Sequence, residues 1–125
     1  MKKIFWIFMV FCYGTVCTAD VAFFAFSPNA ANHFSTFVNE LEKDGEVAYL
    51  FLGEGARTSF ERGVSFDLSN CYKETHRVLE QFPKITTIVT DISKPNVSEI
   101  HEVFSKSSPN VRRVVYYDNP EEYVS

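Results

Sequence analysis

Cysteine is scarce in this chain. There are three, and Cys12 and Cys17 fall in the apolar opening. Cys71 therefore stands alone in the body, where no internal disulfide framework can form. Glycine is nearly as sparse, at five residues. None lies between Ser27 and His33, so the first polar connection holds no G-x-G-x-x-G, and the close backbone approach that NAD or FAD needs is not prepared. There is no G-x-x-x-x-G-K-[ST] and no G-x-S-x-G, which argues against a P-loop triphosphatase and a hydrolase nucleophile elbow. Positive charge is short as well: 12 Lys and Arg against 16 Asp and Glu, a net −4. Nonspecific binding to nucleic acid needs a basic patch, so no nucleic-acid partner is expected. The three histidines show neither H-x-x-x-H nor Cys/His zinc spacing. No metal and no cofactor are expected.

What is present begins with a processing signature. "MKK" precedes the ten-residue apolar stretch "IFWIFMVFCY", and "GTVCTAD" follows with small residues at Cys17 and Ala19. This frame predicts an export signal over residues 1–19 with cleavage before Asp20, because the apolar stretch is too short to span a bilayer. The alternative is an uncleaved anchor over residues 4–19, since apolar character resumes at Val21; the membrane is a partner only in that case. Cleavage leaves about 106 residues with ten basic and sixteen acidic side chains, a net charge near −6. The expected location is periplasmic or secreted, and residues 20–125 are read as one domain stabilised by its aromatic-rich core rather than by disulfides.

Within that domain two periods alternate. Val21–Phe26 is a short continuous apolar run, and "EVAYLFL" (46–52), Val64–Phe66, "ITTIVT" (85–90) and "VRRVVYY" (111–117) read as further strands. Between them lie helical spacings. The first runs to about Lys43 with Phe34, Phe37, Val38 and Leu41 on one side, capped by Asn32 or Ser35 and stopped by Gly45. "GEGARTSFERG" is a connection with room for one helical turn. Ser69 or Asn70 caps a helix in which Cys71, Thr75, Val78, Leu79 and Phe82 share a face, and Pro83 ends it. Ser93 or Asn96 caps the last, Asn96 with Glu99 as a capping box, with Val97, Ile100, Val103 and Phe104 inward. Strands separated by ten-to-fifteen-residue helices predict a Rossmann-like three-layer α/β sandwich. Its mostly parallel sheet has four or five strands in the order 3-2-1-4-5.

Ligands of such sheets sit outside the carboxyl ends of the strands, near the point where strand order reverses. Four strand ends carry polar residues there: Ser27, Asn29, Asn32 and His33 after the first, Gly53 and Glu54 after the second, Asp91 and Ser93 after the fourth, Asp118 and Asn119 after the last. His33, read as starting a helix, has its charged form disfavoured by the helix dipole and is a candidate base or hydrogen-bonding partner of a ligand. Ser27, Asn29, Asn32, Gly53, Glu54, Asp118 and Asn119 are the candidate ligand-binding residues. His76 and His101 read as surface residues of helices. Cys71 reads as a buried structural thiol, because no neighbouring basic pair is evident to lower its pKa.

"FSPNAANHFSTFVNELEKDGEVAYLFLG", with His33 closing the first loop and "DGEV" leading into the second strand, resembles the N-terminal half-domain of GT-B-type glycosyltransferases and related sugar-nucleotide enzymes. "ITTIVTDIS" resembles that family's strand ending in Asp, and "VRRVVYYDNP" the strand after it. The likeness covers about residues 21–120. It departs from the family at Ala30 and Ala31, where glycines are expected. It departs again at Ser125, just past a strand, where the family continues into a second domain that holds most of the sugar nucleotide. Truncation at the C-terminus or pairing with another chain is the expectation. The resemblance implies a glycosyltransferase-like fold binding a small polar or sugar-like ligand, or a protein partner, without complete catalysis alone. Two alternatives accompany it. One is the acceptor-side half of a glycosyltransferase, with His33 as catalytic base and Asp91 as its orienting carboxylate. The other is a structural partner protein that joins an assembly, or another copy of itself, through the sheet edge at Val111–Tyr117, left without a covering helix.

Overall fold

A computed structural model describes residues 20–57, 63–92 and 94–117; the proposed signal over residues 1–19, Ser93, Asp118 and Asn119 lie outside the described residues. Five parallel strands, β1 (Asp20–Ala25), β2 (Val47–Leu52), β3 (Val64–Ser65), β4 (Ile85–Thr90) and β5 (Arg112–Val115), form one sheet in the order β3-β2-β1-β4-β5. The connections are helical: α1 (Pro28–Lys43), a short α2 (Glu54–Arg57), α3 (Cys71–Gln81) and α4 (Ser98–Ser107). This is the doubly wound fold that the alternating pattern predicts.

The unbroken run "VAFFAF" is explained by the place of β1. It is the central strand, paired on both sides, with Phe23 opposite Leu50 of β2 and Val89 of β4. Both faces are covered, so every β1 residue is buried and alternation is not needed. Val21, Phe23 and Ala25 pack against Phe34, Phe37, Val38 and Leu41 of α1 on one face. Ala22, Phe24 and Phe26 pack with Cys71 and Val78 of α3 and Ile100 and Phe104 of α4 on the other. Phe24 stacks on Phe51 at 4.8 Å between centroids and meets Phe66 edge-on at 5.4 Å. Each fully buried Phe of this kind contributes about 1.5–3 kcal/mol.

The helix starts differ from expectation. α1 begins at Pro28 rather than after Asn32 or Ser35, because Ser27 is the cap: its Oγ accepts the Ala30 N–H at 3.2 Å, and Pro28 takes the first helical position. The polar stretch "SPNAANH" is thus the first two turns of a helix. Ala30 and Ala31 face the sheet, wholly buried, while Asn29 and Asn32 face solvent. Ser69 and Asn70 do not cap α3 with their side chains. Both donate to Asp67, which caps a 3-10 turn, Leu68–Asn70, leading into the helix. The Asn96–Glu99 capping box does not form either. A second 3-10 turn, Pro95–Val97, precedes α4, and the Asn96 side-chain amide donates to the Leu68 carbonyl at 2.8 Å. α3 ends at Gln81, so Phe82 lies just outside it, its ring still packed on Tyr49 and Phe51.

Candidate functional site

The carboxyl ends of β1, β2 and β3 open into a crevice of about 590 Å³. Ser27 and Pro28 bring the N-terminus of α1 to its rim, and Gly53, Glu54 and Gly55 follow β2. Phe26 and Phe66 supply apolar wall, their rings edge-to-face at 5.7 Å. Asp67 and Ser69 close the far side, and Lys94 enters from the connection after β4. Gly53 is required where it stands: a Cβ there would lie 2.5 Å from Cδ1 of Phe26, inside contact distance.

The charges of this crevice are well defined. Asp67 accepts the Ser69 backbone N–H at 3.1 Å, the Ser69 hydroxyl at 2.6 Å and the Asn70 amide at 2.9 Å. The Ser69 hydroxyl first, then the Asn70 amide, hold its carboxyl below the usual carboxylate range, so it is an anion at neutral pH. The Asp67 N–H donates in turn to Glu74, which a two-pronged contact with Arg77 at 2.8 and 3.0 Å fixes in place. With exposed Glu54, two carboxylates therefore face one ammonium, Lys94.

A second cavity, about 410 Å³, lies at the same sheet edge between the ends of β4 and β5 and the start of α4. Thr90, Asp91, Ser98 and His101 contribute its polar groups, and Ile92, Pro95, Val97 and Val115 most of its apolar wall. Lys94 borders both cavities. Asp91, 3 % exposed, does not open into the crevice: its Oδ2 accepts the Phe26 N–H at 2.8 Å. That bond joins the end of β4 to the segment after β1, across the switch in strand order, and makes Asp91 a positioning residue for the crevice wall.

The candidate site residues thus separate. Ser27, Gly53 and Glu54 line the crevice; Asn29 and Asn32 sit on the exposed side of α1; Asp118 and Asn119 lie outside the described residues. His33 is in the second turn of α1, not at a helix start, and lines neither cavity. Its Nδ1 is 2.7 Å from the Tyr116 hydroxyl, and the rings meet edge-on at 5.7 Å, a tie between α1 and the segment just after β5. His33 and Asp91 consequently belong to different contacts rather than to one acid–base pair.

His101 is the correction in the other direction. It is half-buried rather than a free surface residue: its Nε2 lies 2.7 Å from the wholly buried Thr90 hydroxyl. Burial first, then the nearby Arg113 charge, push its pKa down, so the imidazole is neutral at neutral pH. A sequence signal for this existed. Val97, His101 and Phe104 are spaced i, i+4, i+7, on the inward side of the helical pattern. Cys71 is buried as expected, with its thiol pushed up in pKa chiefly by desolvation. Among the described residues no group of three His, Cys, Asp or Glu is placed to hold a metal ion, and no helix is long and apolar enough to cross a membrane.

The fold and crevice define a doubly wound α/β domain with an open polar site at the strand ends. No family model matches this chain, no curated protein is significantly similar to it, and no solved structure matches it at a significant level.

Proposed function

We propose that this chain is an exported binding domain of glycosyltransferase-like kind that takes a small, hydroxyl-rich, sugar-like ligand in the crevice after β1, β2 and β3 and does not complete catalysis alone. The observation that carries this reading is the lining of that crevice. Glu54 and Asp67 accept from hydroxyls, the Ser27 hydroxyl and Lys94 donate, and Phe26 and Phe66, nearly wholly buried, close the apolar floor. Two carboxylates against one ammonium disfavour a phosphate, despite the helix N-terminus beside them. The described residues of the lining include no histidine or cysteine.

The test is calorimetric titration of a monosaccharide panel into wild type and a Glu54→Ala variant. A sugar should bind wild type and lose about 0.5–1.5 kcal/mol in the variant, the net worth of one hydrogen bond. Failure of every sugar, or equal binding by both proteins, counts against the reading. Export is tested by the intact mass of the secreted protein, expected to begin at Asp20; a mass retaining residues 1–19 favours the anchor.

The partner-protein reading draws on one observation, the exposure of Val115 and Tyr117 at and just beyond β5. Against it, the same edge strand opens with Arg112 and Arg113, charges of the sort that discourage edge-to-edge pairing. The acceptor-side enzyme reading gains nothing from His33, which is tied to Tyr116 outside the crevice.

A further inference from the structure

We infer that the ligand of this site is amphiphilic: a glycoside whose hydroxylated ring occupies the crevice and whose aryl or short alkyl substituent enters the neighbouring cavity between β4, β5 and α4. The inference rests on the sugar-binding reading above and adds the second half of the ligand.

Three observations carry it. First, the two cavities adjoin. Lys94 borders both, and the hydrogen bond from Phe26 N–H to Asp91 links a residue of the crevice wall to a residue of the cavity wall. Second, both volumes, about 590 and 410 Å³, lie within the range of small-molecule sites, roughly 300–1,000 Å³. The second is ample for a ring. Third, apart from Lys94 at the border with the crevice, the polar side chains of the second cavity make hydrogen bonds within the chain. Thr90 pairs with His101 at 2.7 Å, Asp91 accepts from Phe26, and the Ser98 hydroxyl donates to the Pro95 carbonyl at 3.2 Å. A polar guest would lose its hydration there for few new partners. An apolar guest would bury surface against Ile92, Pro95, Val97 and Val115. A cavity whose polar side chains, Lys94 at its border excepted, already have partners within the chain favours apolar surface.

The experiment compares methyl and phenyl glycosides of common hexoses, in both anomers, by calorimetry. For the sugar that binds, the phenyl glycoside should bind about tenfold or more tightly than the methyl glycoside, as burial of an aromatic ring implies. Val115→Asp, on the exposed edge strand, should abolish that advantage and leave methyl glycoside affinity unchanged; Ile92→Glu serves if Val115→Asp fails to fold. Methyl and phenyl glycosides of equal affinity overturn the inference and leave the sugar reading standing. An aryl advantage that survives both substitutions places the aryl group elsewhere and also overturns it. If no methyl glycoside binds at any anomer, the sugar reading fails and the inference fails with it.

Discussion

Removing the carboxylate of Asp91 tests whether the switch-point contact holds the crevice wall. In Asp91→Ala the Phe26 N–H, now in surroundings where Phe26 is 4 % exposed, loses its acceptor at 2.8 Å. A hydrogen bond contributes about 0.5–1.5 kcal/mol and a buried donor left unpaired costs about 1–3 kcal/mol, so a loss of about 2 kcal/mol is expected. For a domain of this size that shifts Tm on the order of 10 °C. Asp91→Asn keeps an oxygen able to accept from Phe26 and should lose less, about 1 kcal/mol. Urea unfolding at fixed pH reads the difference as a drop in midpoint at constant slope. Phe26 also lines the crevice, so Asp91→Ala should weaken sugar binding while Asp91→Asn largely retains it. Equal midpoints for wild type and Asp91→Ala would refute the reasoning, since a buried, bonded carboxylate cannot be removed without cost if the contact matters.

Three further outcomes are expected. His101 has a native pKa below its ordinary value of 6.5, so between that depressed value and 6.5 the unfolded chain binds more protons, and stability rises with pH across this window. Acidification through the same interval should therefore weaken the fold, and His101→Gln should flatten that slope; an unchanged slope assigns it to other groups. Cys71 should react slowly with a thiol reagent in the native protein and rapidly in urea, because it is buried and its thiolate is disfavoured, and Cys71→Ala should cost on the order of 1 kcal/mol. Rapid native labelling would contradict its burial. Gly53→Ala should cost about 1–3 kcal/mol by forcing the Phe26 ring aside, read as a lower urea midpoint together with weaker sugar binding; an unchanged midpoint would mean that the ring yields freely.

The sequence by itself determined the layered architecture and the strand order. Continuous apolar runs such as "VAFFAF", interleaved with helical spacings such as Phe34, Phe37, Val38 and Leu41, admit few arrangements other than a parallel sheet wrapped by helices. It also put Ser27, Gly53 and Glu54 just after strand ends, on the edge of the sheet where the crevice opens. Helix starts were only partly legible. Several Ser and Asn residues compete as caps, and the choice follows from which side chain the folded backbone presents to a free N–H: Ser27 wins at α1, and Asp67 gathers Ser69 and Asn70 before α3. Tertiary structure alone decided which polar residues meet. Asp91 and Phe26 are 65 positions apart and His33 and Tyr116 are 83 apart, and no local pattern encodes such pairings. They arise because parallel strands brought together by long crossovers stack their ends at one edge. There each buried N–H and carboxylate must find a partner or bear the cost of burial alone, and that need turned His33 and Asp91 away from one another.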